Sequence, residues 1–95
     1  MPSSEDRLVK MIKALADPTR IRLLQEIARR KRLTCTEVGE IADLAQPTMS
    51  HHIKLLVDAG LVNAEKDGRH VILSVNKDSI EELSVFVKKL RNVSD

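Results

Sequence analysis

The chain has no tryptophan, no tyrosine and a single phenylalanine, Phe86. Leucine, isoleucine, valine and methionine must therefore build the core, which suits packed helices. The one cysteine, Cys35, excludes an internal disulfide and fits a reducing compartment. No apolar run approaches the roughly 18 residues of a membrane span. The opening Met1-Pro2-Ser3-Ser4-Glu5-Asp6-Arg7 is acidic and polar, unlike a signal peptide. The expectation is a cytoplasmic protein with no membrane partner. A strong excess of one charge is also missing, because 16 Lys and Arg against 14 Asp and Glu leave a net +2. Any nucleic-acid binding must then come from where the charges sit. There is no Gly-rich phosphate loop and no nucleophile paired with a base, so an enzyme is disfavoured and no cofactor is implied. Nothing divides the 95 residues into parts, so residues 1–95 are expected to form one domain. So small a chain with so few aromatics can complete its core by dimerising.

What is present reads as a series of helices followed by a hairpin. Leu8, Met11, Ile12 and Leu15 make one side of a first helix. Asp17 is a strong N-cap and Pro18 a strong first residue for a second helix, carried inward by Ile21, Leu24, Ile27 and Ala28. Its end, Arg29-Arg30-Lys31-Arg32, reads as a solvated last turn favoured by the helix dipole, with phosphate contact as a secondary role. Leu33-Thr34-Cys35 is short and can be extended. A third helix carries Val38, Ile41 and Ala42, and either Thr34 with Glu37 or Thr36 can cap it. Asp43-Leu44-Ala45 then breaks the chain.

The next stretch is the most informative. From Gln46 to Gly60, Met49, Ile53, Leu56 and Val57 form one apolar stripe on a helix, with Pro47 near its start and Gly60 as its stop. The opposite face carries Ser50, His51, Lys54 and Asp58, with Thr48 on the flank. Two helices joined by about three residues make a helix-turn-helix, expected over residues 36–59. A helix with donors on its N-terminal half and its back pinned to a core suits major-groove reading. The stretch alone equally allows an ordinary amphipathic helix with a solvated face. Beyond Gly60, Asp67-Gly68 between two β-prone runs signals a hairpin over residues 61–75, with Lys66, Arg69 and His70 at its tip. Asn76 caps a last helix over residues 77–92, with Ile80, Leu83, Val87 and Leu90 on one side and Phe86 beside them.

The fold class is thus mainly α: about five helices with a two-stranded hairpin wing, a winged helix-turn-helix. The residues carry the likeness further. Ala14-Leu15-Ala16-Asp17-Pro18-Thr19-Arg20-Ile21-Arg22-Leu23-Leu24 resembles the entry signature of the ArsR/SmtB repressors. Gln46-Pro47-Thr48-Met49-Ser50-His51-His52-Ile53-Lys54-Leu55-Leu56 resembles that family's recognition helix, and Ala59-Gly60-Leu61-Val62 with Lys66-Asp67-Gly68-Arg69 continues the match. The resemblance implies a homodimeric repressor on double-stranded DNA, joined through the terminal helices, with Leu8, Met11, Leu15, Leu83, Phe86 and Leu90 at the interface. Two recognition helices would enter successive major grooves of a pseudo-palindromic operator. It assigns Gln46, Thr48, Ser50 and His51 to bases or phosphates and Lys54 to a phosphate. Arg69, with Lys66 and His70, would reach the minor groove or backbone. His52, at the edge of the apolar stripe, is read as packing rather than as a base contact.

The departures bear on sensing. Where many members hold a Cys-x-Cys metal pair, this chain has Thr34-Cys35-Thr36, and its last helix has Asp78, Glu81 and Glu82 but no histidine. Hydroxyls are poor ligands for soft metals, and one thiolate cannot make a tetrahedral site. Asp43 stands where the turn usually has glycine, and Ala45 where serine precedes the Gln-Pro. No metal site is expected, and the small-molecule effector, if any, is unknown. The alternatives are a winged-helix module that binds a protein, or a sensor with a non-standard site. Cys35→Ser should leave DNA affinity within a few fold and abolish no regulated response. A metal titration showing submicromolar binding that releases DNA would refute the absence of a metal site.

Overall fold

A computed structural model describes residues 3–42 and 46–92, with the side chains of Ile41, Ala42 and Gln46 left out. The expected break Asp43-Leu44-Ala45 lies outside the described residues, as do the consequences of Asp43 and Ala45 for the turn. The elements run α1 (Ser4–Leu15), α2 (Pro18–Arg30), β1 (Leu33–Thr34), α3 (Cys35–Ala42), α4 (Gln46–Asp58), β2 (Val62–Asp67), β3 (His70–Val75) and α5 (Lys77–Arg91). Among the described residues, no helix is long and apolar enough to cross a membrane.

The helices α1, α2, α3 and α5 each start where a side chain satisfies a free N–H group. Ser3 and Asp6 form a capping box on α1, a start the apolar pattern did not show. Asp17 Oδ2 accepts the Arg20 N–H at 3.0 Å with Pro18 in the first turn of α2, as its sequence implies. For α3 the ambiguity resolves to Thr34: its hydroxyl accepts the Glu37 N–H at 3.1 Å, and the Glu37 carboxylate accepts the Thr34 N–H at 3.0 Å. Asn76 Oδ1 accepts the Ser79 N–H at 3.2 Å and opens α5. The end of α4 is a Schellman turn. The Gly60 N–H donates to the Val57 carbonyl at 2.9 Å and the Leu61 N–H to the Leu56 carbonyl at 3.1 Å. Gly60 takes φ +79° there, which a side chain would strain.

The sheet is antiparallel in the order β1-β3-β2. Leu33 pairs with Leu73 and Thr34 with Ile72, so the short extended piece adds a third strand to the hairpin and anchors it to the helices. The hairpin turn lies one residue later than the Asp67-Gly68 signal places it. Asp67 pairs with His70, and Gly68-Arg69 make the loop. Gly68 has φ +63° and Arg69 does not share the left-handed region, the pattern of a II′ turn with glycine first. Asp67 is thereby freed to stay in the ladder.

One buried cluster holds the elements together. Met11 and Ala14 of α1, Leu23 and Ile27 of α2, Leu33, Val38 of α3, Met49 and Leu56 of α4, Leu61, Val62 and Leu73 belong to it with Ala59. No residue of α5 is fully buried. Its tie to α1 includes an ion pair from Arg7 to Glu82 at 2.8 Å.

The α2 cap makes stability depend on pH. The Arg20 N–H holds the Asp17 carboxyl below its ordinary range, opposed by partial desolvation and helped by the charges of Arg20 and His52. A folded pKa below the unfolded one gives stability that is present above the ordinary carboxylate range and is lost as pH falls through the folded value. Asp17→Ala should therefore lower the thermal midpoint by a few degrees at neutral pH. Its deficit relative to the wild type should shrink below about pH 4. Equal midpoints for the two proteins at neutral pH would show that the cap contributes nothing.

Candidate nucleic-acid interface

The helix-turn-helix consists of α3 and α4, and α4 is fixed from behind. Met49 and Leu56 are buried to 1% exposure or less, and Ile53 and Val57 are half-buried against the same cluster. Period and packing together leave the other side of α4 to solvent, where Thr48, Ser50, His51 and Lys54 are all exposed. Among the described residues no side-chain hydrogen bond or ion pair engages Thr48, Ser50 or His51, and the His51 ring lies tilted against that of His52 with centroids 6.1 Å apart. Lys54 donates to Asp58 at 3.0 Å, one turn on. That pair is exposed, so it is worth roughly 0–1 kcal/mol and yields readily to a phosphate. The structure describes no side chain for Gln46, so its expected role lies outside the described residues.

A second cluster lies on the hairpin. Lys66, Arg69 and His70 are exposed, with Arg69 in the turn itself. No ion pair joins Lys66 or Arg69 to another described residue. His70 is near enough to α3 to act on its cap. Glu37 is held below the ordinary carboxylate range first by the Thr34 N–H and hydroxyl, with smaller contributions from Arg30 and His70. The arginine run at the end of α2 is partly committed elsewhere. Glu26 takes Arg29 at 2.7 Å and Arg30 at 3.3 Å. Because Leu33 pairs with Leu73, the run enters the sheet at the end remote from the Gly68-Arg69 tip.

His52 is not on the exposed face of α4. Its side chain is 13% exposed and its Nδ1 lies 3.3 Å from Arg20 Nη1, so it is tied into the packing as the sequence suggests. Cys35 opens α3 and is half-buried, lining a hollow of about 240 Å³ with Ser50, Ile53, Lys54, Val57 and Asp58. Burial raises its thiol pKa. Among the described residues no group of three or more His, Cys, Asp or Glu side chains could hold a metal ion.

The expected dimer residues divide. Met11 is a correction: at 1% exposure it belongs to the core of its own protomer and has no surface for a partner. The i, i+3 and i, i+4 pattern cannot tell inward residues of a helix from those beside them. Leu8, Leu15 and Leu83 are half-buried against the core, and Phe86 is half-buried too. Leu90 is 61% exposed. The sequence reading missed the other uncovered apolar side chains of these helices as interface candidates: Val9 and Ile12 on α1, and Val85 and Val87 on α5. Ile12 and Val87 lie on the apolar sides read from the sequence, whereas Val9 and Val85 lie off them.

Comparison with known proteins places this geometry. A family of helix-turn-helix domains matches residues 15–65, more than half of the chain. A protein of Streptomyces lividans named "Probable mercury resistance operon repressor" is 40% identical over 85 residues, covering 90% of this chain and 67% of that protein. The crystal structure of an ArsR family transcriptional regulator superposes with a TM-score of 0.83 at 27% identity, over 96% of this chain and 93% of that one. A homodimeric winged helix-turn-helix DNA-binding domain from Mycobacterium bovis shares the fold, with a TM-score of 0.74 at 21% identity over 94% and 83% of the two chains. By sequence and by fold, this chain belongs to the ArsR family of winged helix-turn-helix transcriptional regulators.

Proposed function

We propose that the protein is a cytoplasmic homodimeric repressor that reads a pseudo-palindromic operator through α4 and grips its backbone with the wing. The observation that carries this reading is the face of α4. Thr48, Ser50, His51 and Lys54 are exposed together while Met49 and Leu56 fix the helix from behind. In this reading Gln46, Thr48, Ser50 and His51 meet bases or nearby phosphates. Lys54 leaves Asp58 for a phosphate, and Lys66, Arg69 and His70 hold the minor groove or backbone. Phosphate contacts position the protein without reading sequence, whereas base-edge contacts specify. The mercury in the Streptomyces relative's name is not carried over, since Cys35 is the only cysteine and one thiolate cannot make a tetrahedral site.

The dimer is supported by what α1 and α5 leave uncovered. Val9, Ile12, Val85, Val87 and Leu90 are each at least 39% exposed, and α5 buries no residue of its own. Apolar surface of this kind on two neighbouring helices favours a second copy. The M. bovis domain of the same fold is homodimeric. Leu90→Glu removes none of the core, so it should keep the helical spectrum, shift the protein to a monomer and lower operator affinity at least tenfold. An unchanged dimer on sedimentation would refute the interface.

Salt titration of operator and scrambled duplexes separates reading from holding. His51→Ala should weaken operator binding far more than scrambled binding, because a good base contact is worth roughly 1–3 kcal/mol of discrimination. Arg69→Ala should weaken both and flatten the slope of log affinity against log salt by about one unit per lost phosphate contact. Should neither variant change binding to either duplex, the reading fails in favour of a protein-binding module.

A further inference from the structure

One side chain outside the helix-turn-helix reaches the middle of α4. Arg20, on the first turn of α2, donates from Nε to the Ala14 carbonyl at 2.6 Å and from Nη2 to the Lys13 carbonyl at 3.5 Å. Both carbonyls belong to the last turn of α1, so the guanidinium also sits at the negative end of that helix. Its Nη1 faces His52 Nδ1 at 3.3 Å. Arginine has no acceptor, so this contact is a hydrogen bond in the tautomer where Nδ1 accepts. The same residue's N–H is held by Asp17, whose Oδ2 lies 4.0 Å from His52 Nδ1. One planar fork thus joins the end of α1, the start of α2 and the middle of α4.

His52 follows His51 and Ser50. Successive residues on a helix are turned by roughly 100°, so fixing His52 inward fixes how far His51 and Ser50 turn outward. The apolar contacts of Met49 and Leu56 hold α4 in place but are non-directional. A directional hydrogen bond adds a constraint on its rotation. We propose that Arg20 is a positioning residue for operator reading, acting through His52, and that neither side chain contacts DNA. The proposal rests on α4 being the reading helix.

The test compares the wild type with Arg20→Gln, His52→Ala, the double variant, and His52→Asn, whose Oδ1 offers a neutral acceptor close to where Nδ1 lies. Affinity is measured on a duplex that the wild type selects from random-sequence DNA and on a scrambled duplex, with circular dichroism confirming the fold. Each of Arg20→Gln and His52→Ala should lower affinity for the selected duplex about tenfold, as expected for losing a charged hydrogen bond, and change scrambled binding less than twofold. The double variant should be no worse than the poorer single one, and His52→Asn should recover most of the loss. Additive losses, equal losses on both duplexes, or no rescue by His52→Asn would overturn the proposal. Should Arg20→Gln fail to fold, the His52→Ala and His52→Asn pair decides alone. His51→Ala separates the two readings. If it leaves binding to the selected duplex unchanged, α4 is not the reader. If it weakens that binding while the His52 variants do not, α4 reads and Arg20 does not set its angle.

Discussion

The structure depends on the burial of α4's back. Met49 and Leu56 enter the same cluster as Leu23 and Ile27 of α2 and Val38 of α3. Each fully buried side chain of this size contributes about 1.5–3 kcal/mol. Removing either leaves a cavity that costs about 2–5 kcal/mol, a large part of a small domain's stability. With no tryptophan or tyrosine available, the apolar support of α4 is aliphatic. Polar groups on its other side can then stay exposed, because they have no part in holding it.

The rest of the chain extends that support. The Schellman turn at Gly60 stops α4 and sends Leu61 and Val62 straight into the core. The Asn76 N–H donates to the Leu61 carbonyl at 2.9 Å, so the start of the hairpin and the start of α5 are tied at one point. Pairing of Leu33 with Leu73 anchors the hairpin's central strand, which a two-strand ribbon could not do for itself. The wing tip therefore projects from a held base. Lys66, Arg69 and His70 gain a defined place although none is packed.

The terminal helices follow a different logic. Only one side of α1 enters the core, through Met11 and Ala14, and α5 is attached by half-buried Ile80 and Leu83 and by Arg7 to Glu82. The far end of α5, with Val87 and Leu90, is uncovered, and the molecule reaches 51 Å along its longest axis. Apolar residues left in this state mark a surface that is unfinished in one protomer.

Much of this was legible in the sequence, because it depends on local chemistry. Asp17-Pro18, Asn76 and Gly60 fix helix ends through bonds to residues three to five away, and such bonds form in nearly any context. The period of Met49, Ile53, Leu56 and Val57 determined which face of α4 stays polar. Other features required the tertiary structure, because they join residues far apart in the chain. Periodicity marked Met11 as apolar, but only packing showed it turned into its own core rather than toward a partner. Thr34 prevailed over Thr36 because Leu33 and Thr34 are held extended by β3, which sets the geometry for a cap. The hairpin turn moved from Asp67-Gly68 to Gly68-Arg69 because cross-strand register, from Val62 opposite Val75 onward, fixes which residue closes the ladder. Arg20 and His52 are 32 positions apart, and no local rule brings a guanidinium to that ring; their meeting follows from α2 and α4 packing on one shared core.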